Sequence, residues 1–221
     1  MRYPLLIPVL FAFHAIGCQA PAPGPGTQVP AQPAPATVDT KELDSQLLGD
    51  SLLRVLGPVQ DLVVADLFAG KGYYTWKLLG AGARVLAIAQ DQQDVAALEA
   101  RKKQEGIGDD RLLIRLTTPG NPGLQPGEAD IALVTREFST LGDRKAWLGQ
   151  LKAGLRPPYK FMLVNYMPGA SPFGPPLSER MDFNTVADEI SANGFSDVSI
   201  FYKQMPYRYI IYALDPPAEE E

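Results

Sequence analysis

Apolar residues recur along this chain in short dense runs separated by amphipathic stretches. Five runs read DLVVADL (61–67), RVLAIA (84–89), LLIRL (112–116), ADIALVT (129–135) and FMLVNYM (161–167). They are short and nearly continuous in apolar character, which predicts strands covered on both faces. The intervening stretches carry helical periodicity. Asp39 or Thr40 is placed to cap a first helix with Leu43, Leu47 and Leu48 on one face, stopped by Gly57-Pro58. Further helices are predicted from Tyr73 to Leu79, over 92–105 with Val95 and Leu98 inward, over 143–154 with Trp147, Leu148 and Leu151 on a stripe, and from Phe183 to Ala192. Asn193-Gly194 supplies a left-handed stop to the last of these. Two strands then follow, DVSIFYKQ and YRYIIYAL, with Met205-Pro206 between them.

Regular alternation of strand and helix predicts an α/β domain over 39–215, a mostly parallel sheet with helices on both faces. The last two strands are too close in sequence for a crossover. They predict an antiparallel hairpin at or near one edge of a seven-stranded sheet. Residues 216–221, PPAEEE, form an acidic tail outside this pattern.

The N-terminus has a different composition. Arg2 precedes an apolar stretch from Leu5 to Ile16, interrupted by His14 and too short for the roughly 20 residues of a membrane span. Residues 1–17 therefore predict a signal peptide. Ala15-Ile16-Gly17-Cys18 resembles the lipobox of bacterial lipoproteins, with Ala15 where leucine is usual. That resemblance implies lipidation of Cys18, a Pro/Ala-rich tether over 18–38, and a membrane-anchored domain in the cell envelope, periplasmic or surface-facing. Cys18 is the single cysteine, so no internal disulfide is possible. His14 is the single histidine and would leave with the signal. Histidine-based triads and histidine-ligated metals are then excluded, and no metal site is expected. The net charge of -5, with no long basic run, argues against a nucleic-acid partner.

Chemistry concentrates at the end of the first strand. Residues 66–79 read DLFAGKGYYTWKLL, a strand entering a glycine turn and then a helix. Backbone N–H groups at such a turn can face a ligand, and glycine permits close approach. Lys71 is not a phosphate-loop lysine, because the leading glycine and the following Ser or Thr are absent. A dinucleotide-type G-x-G-x-x-G is not present either.

Asp66-Leu67-Phe68-Ala69-Gly70-Lys71-Gly72 resembles the first motif of the class I S-adenosylmethionine-dependent methyltransferases. Pro126 to Leu133 is similar to that family's entry into its fourth strand. Leu155-Arg156-Pro157-Pro158-Tyr159 stands where many members carry a glycine turn, and Asn193-Gly194-Phe195 resembles a turn before the sixth strand. The resemblance covers about Val63 to Leu214. It implies the Rossmann-like methyltransferase fold and S-adenosylmethionine as cofactor, with a small molecule or a protein as methyl acceptor. It also implies cofactor contacts from Asp66, Phe68, Ala69, Gly70, Gly72, Tyr73 and Asp91, and a catalytic or substrate-contacting role for Glu137. Phe68 stands where many relatives have glycine. Ala89 occupies the position at which the second strand usually ends in a ribose-binding acid, leaving Asp91 as the nearby carboxylate and also as a candidate helix cap. Thr117 and Thr118 lie where an adenine-contacting acid is common.

Two function classes follow. One is a methyltransferase tethered to a membrane. The other is a degenerate methyltransferase fold acting in the envelope as a binding or scaffolding module, because an exported domain meets little of a cytoplasmic cofactor and the ribose acid is missing.

Overall fold

The computed structural model describes residues 47–215, which lie within the compact unit Val38–Glu221. The expected signal peptide (1–17), Cys18, the expected tether (18–38), the start of the expected first helix and residues 216–221 lie outside the described residues. The elements run α1 (Gly49–Leu56), β1 (Val63–Leu67), α2 (Tyr73–Gly80), β2 (Arg84–Ala89), α3 (Gln92–Gln104), β3 (Leu112–Leu116), β4 (Ala129–Val134), α4 (Arg144–Gly154), β5 (Leu155–Tyr166), α5 (Phe183–Ala192), β6 (Ser199–Phe201) and β7 (Arg208–Leu214). Three helices start at aspartates whose side chains cap them, Asp91 among them as a cap candidate in the sequence. Asp91 accepts from Gln93 N at 2.6 Å, Asp143 from Ala146 N at 2.9 Å, and Asp182 from Asn184 N at 2.9 Å.

The strands form one sheet in the order β3-β2-β1-β4-β5-β7-β6. The first five are parallel, while β7 runs antiparallel to both β5 and β6. Side chains alternate across the sheet, so each strand feeds two cores. Ala65, Leu67, Leu86, Ile88 and Val134 pack against Trp147, Leu148 and Leu151 of α4 and Val186 and Ile190 of α5. Val64, Val85, Ala87 and Leu133 pack on the other face against Leu52 and Leu56 of α1, Leu78 of α2 and Leu98 of α3. This double coverage explains why the parallel strands read as continuous apolar runs.

Three boundaries differ from the sequence expectation. Leu48 has φ 52, so α1 begins afresh at Gly49, and Leu47 and Leu48 do not continue one stripe into it. β5 begins at Leu155, which pairs with Ala129; the chain then leaves register and rejoins at Lys160 opposite Ile131. Pro157 and Pro158 have no N–H to donate to a ladder, which accounts for the interruption. β6 keeps only three residues, because Tyr202 to Tyr207 turn back toward β7.

Phe68, at the end of β1, adopts φ 60, a conformation that glycine takes at no steric cost. Its ring is buried and stacks on Trp147 at 6.0 Å. Releasing the left-handed strain would return about 1–2 kcal/mol, whereas truncating a buried phenylalanine costs about 3–5 kcal/mol. Packing therefore wins. Phe68→Gly should lower the folding free energy by about 2 kcal/mol in urea titration, and an unchanged or raised midpoint would show that strain dominates.

Candidate functional site

The carboxyl ends of β1 and β4 meet at the glycine turn. Because β1 alternates, Asp66 follows Val64 onto the face covered by α1, α2 and α3. It is 1% exposed. One carboxylate oxygen accepts from the Thr75 hydroxyl at 2.6 Å, and the other is buried with no hydrogen-bond partner. Desolvation raises its pKa to about 6, opposed by the Thr75 hydrogen bond and by the positive charge of Arg136. A buried acceptor with an open valence is the kind of group that a ligand's ammonium can satisfy.

The turn itself uses three positive-φ residues, Phe68 (φ 60), Gly70 (φ 55) and Gly72 (φ 88). A Cβ on Gly72 would meet Leu98 Cδ2 at 2.5 Å and Trp76 Nε1 at 2.7 Å. A Cβ on Gly70 would run into the guanidinium of Arg136. Arg136, from the loop after β4, reaches back across the turn. Its Nε and Nη2 donate to the Phe68 carbonyl at 3.3 and 3.2 Å. Thus the glycine turn is roofed by a cation that the motif gives no hint of.

A cavity of 570 Å³ opens over the turn. Phe68, Ala69, Gly70 and Lys71 form one end with Thr135 and Arg136. Tyr73, Tyr74, Trp76 and Lys77 of α2, Asp94 and Arg101 of α3, and Leu47 form the rest. Tyr73 meets Tyr74 edge-on at 4.9 Å, and its hydroxyl accepts from Gly49 N at 3.1 Å, fixing α1 to α2. Tyr74 donates to the Leu47 carbonyl at 2.8 Å, and burial pushes its pKa up.

Among the expected cofactor residues, Phe68, Ala69, Gly70 and Tyr73 line this cavity. Asp66 and Gly72 support the turn from below without lining it. Asp91 does not line it, because its carboxylate caps α3 through Gln93 N. Ala89 is buried at the end of β2, and its carbonyl accepts from Thr117 N at 2.9 Å. The acid that faces the cavity from this segment is Asp94, three residues after Asp91 and in the first turn of α3. Helical spacing from the cap would have found it: a cap points its side chain along the helix start, while the residue one turn on projects sideways. Glu137 is exposed at φ 67 and lies outside the cavity; its neighbour Arg136 points in instead. Thr117 donates to the Asn121 carbonyl at 3.1 Å. The described residues contain no cluster of three or more potential metal-ligating His, Cys, Asp or Glu side chains.

No family model and no curated protein matches the chain. Solved structures do match. A SAM-dependent methyltransferase from Aquifex aeolicus aligns at TM-score 0.68 and 19% identity, over 79% of this chain and 95% of that one. The fold is the Rossmann-like methyltransferase fold. Phosphoethanolamine N-methyltransferase 2 from Haemonchus contortus, in complex with S-adenosyl-L-methionine, aligns at TM-score 0.64 and 13% identity, over 76% of this chain and 52% of that one. The [4+2]-cyclase SpnF aligns at TM-score 0.63 and 13% identity, over 77% and 81%. One architecture thus carries more than one reaction, and the chemistry must be argued from the site.

The Asp66 pKa gives a testable stability signature. The unfolded carboxyl ionises near 3.8 and the folded one near 6, so the folded state holds its proton longer. Stability contributed by this group is present below the unfolded value and falls as pH rises toward 6. Ionised and buried, Asp66 destabilises the fold by up to about 3 kcal/mol. Asp66→Asn should raise the thermal midpoint at pH 7.5, with the gain shrinking toward pH 4; a gain independent of pH would refute the assignment.

Proposed function

We propose that the chain is an S-adenosylmethionine-dependent methyltransferase, held at a membrane surface through a lipid on Cys18. The observation that carries the catalytic reading is the left-handed turn over Phe68, Gly70 and Gly72, with the open valence of buried Asp66 at its base. These groups fit the methionine end of the cofactor: the turn admits close backbone approach, and Asp66, buried beneath it, would set a negative charge under the ammonium. Asp94 would accept from the ribose hydroxyls in place of the acid absent at Ala89. Phe68 and Tyr73 supply apolar wall. When bound, the cofactor supplies a methyl group activated by its sulfonium. The chain must then align the acceptor and exclude water, which requires no histidine. Anchoring is supported by the lipobox-like Ala15-Ile16-Gly17-Cys18 and the Pro/Ala-rich segment after it.

A second reading is a binding module that has lost catalysis. It is favoured by Ala89 and by the guanidinium of Arg136 lying over Gly70. Calorimetric titration with S-adenosylmethionine and S-adenosylhomocysteine separates the two. Micromolar binding is expected, abolished by Gly70→Arg and weakened about tenfold or more by Asp94→Asn, the usual penalty for losing a charged hydrogen-bond partner. No heat from protein shown to be folded would leave the binding module.

A further inference from the structure

Leu47 lines the cavity from the segment that enters α1. The backbone there is bent. Leu48 stands in the N-cap position with φ 52 and ψ 44, and no side chain caps α1. Leucine rarely adopts a left-handed backbone. The bend is therefore held by contacts on either side of it rather than by local preference. On one side, Gly49 N donates to the Tyr73 hydroxyl at 3.1 Å. The approach is close: a Cβ on Gly49 would run into the Lys77 side chain and stand 2.9 Å from the Tyr73 oxygen. Leu52 and Leu56, both buried, then seat α1 in the core. On the other side, the Leu47 carbonyl accepts from the Tyr74 hydroxyl at 2.8 Å, and the Leu47 side chain is half-buried.

We infer that the chain at Leu47 is a hinged strap over the cavity, swinging about Leu48 and latched by the Tyr74 hydroxyl, and that ligand enters and leaves when the latch opens. Opening loses a neutral hydrogen bond and part of the burial of Leu47. It also releases the left-handed strain at Leu48. These terms oppose one another, which brings a gate near balance. Closed, the strap adds an apolar side chain to the cavity wall and keeps water from the turn. Tyr73 and Tyr74 are neighbours on α2 with their rings edge-on at 4.9 Å. One turn of helix thus walls the cavity, holds the fixed side of the hinge and carries the latch for the mobile side. The identity of the ligand rests on the methyltransferase reading, whereas the gate rests on these contacts alone.

Cys18 is the single cysteine, so a full-length chain carrying Cys18→Ser and Leu47→Cys has one thiol, at the strap. The latch bonds the backbone carbonyl of residue 47 and survives this change. Labelling by N-ethylmaleimide is expected to be slower in the folded chain than in the urea-unfolded one. Tyr74→Phe should speed it about three- to tenfold, the equilibrium worth of one neutral hydrogen bond. That variant also removes a hydrogen-bond partner of Arg208. Leu48→Asn leaves Arg208 alone and should slow labelling, since asparagine takes left-handed backbone more readily than leucine; it reads out even if Tyr74→Phe misfolds. Asp50→Asn, on the fixed side, removes an exposed ion pair with Lys77 and should leave the rate unchanged. Labelling as fast folded as unfolded, a rate indifferent to Tyr74→Phe, or faster labelling in Leu48→Asn overturns the gate. With Leu47 restored, stopped-flow mixing with S-adenosylhomocysteine should show Tyr74→Phe raising association and dissociation rates together. Faster dissociation alone makes Tyr74 an ordinary binding contact and overturns the gate. If S-adenosylhomocysteine fails to bind while the labelling pattern holds, the methyltransferase reading fails and the gate stands.

Discussion

The chain leaves β1 and enters α2 within five residues, 68 to 72, at the centre of a sheet covered on both faces. No sidestep is available there, since β2 and β4 flank β1 and helices lie above and below. The reversal is made by positive φ at Phe68, Gly70 and Gly72. Most of the site follows from it. The turn exposes backbone at the sheet's carboxyl edge, where open α/β sheets bind ligands. It aims α2 so that Tyr73, Tyr74 and Trp76 wall the cavity, and it presents the Phe68 carbonyl on which Arg136 rests.

Much of this layout was legible in the sequence, because its signals are local. Continuous apolar runs mark parallel strands, aspartates mark helix starts, and a strand followed by closely spaced glycines marks a turn that needs left-handed backbone. Residues that act across distance were not legible. Arg136 reads as a loop charge beside Glu137, and only the pairing of β4 with β1 brings it over Gly70. Asp91 and Asp94 are chemically identical in the sequence; the cap geometry decides that one is committed to Gln93 N and the other faces the cavity. Leu48 gives no warning of its left-handed backbone, and the Pro157-Pro158 interruption of β5 shows only once Leu155 is seen paired with Ala129.

Charge is distributed against the composition. An acidic chain keeps a basic rim on its one aromatic-walled cavity among those described, while the acid nearest the turn, Asp66, is buried with an unsatisfied oxygen. Arg136 connects the two, lowering the Asp66 pKa that desolvation raises. The connection runs both ways: an ionised Asp66 holds the guanidinium near the turn, and a protonated one releases part of that attraction. An anion drawn to Arg136 would compete with Asp66 for the same cation, whereas an ammonium set against Asp66 would reinforce its ionisation.

Stability alone accounts for some of these features and not for others. Glycine at residue 68 would relieve strain, asparagine at residue 66 would remove a buried charge, and a neutral residue at 136 would leave the turn open. Phe68 has a structural explanation, because its stack on Trp147 outweighs its strain. Asp66 has none: a buried carboxylate half satisfied by Thr75 destabilises the domain at neutral pH, and nothing in its packing returns that energy. Burial places the carboxylate in low dielectric, where its pull on a ligand cation is strongest and where no water competes. An unreturned cost of that kind is what a binding site adds to a scaffold, and it is the feature on which the ligand reading of the turn rests.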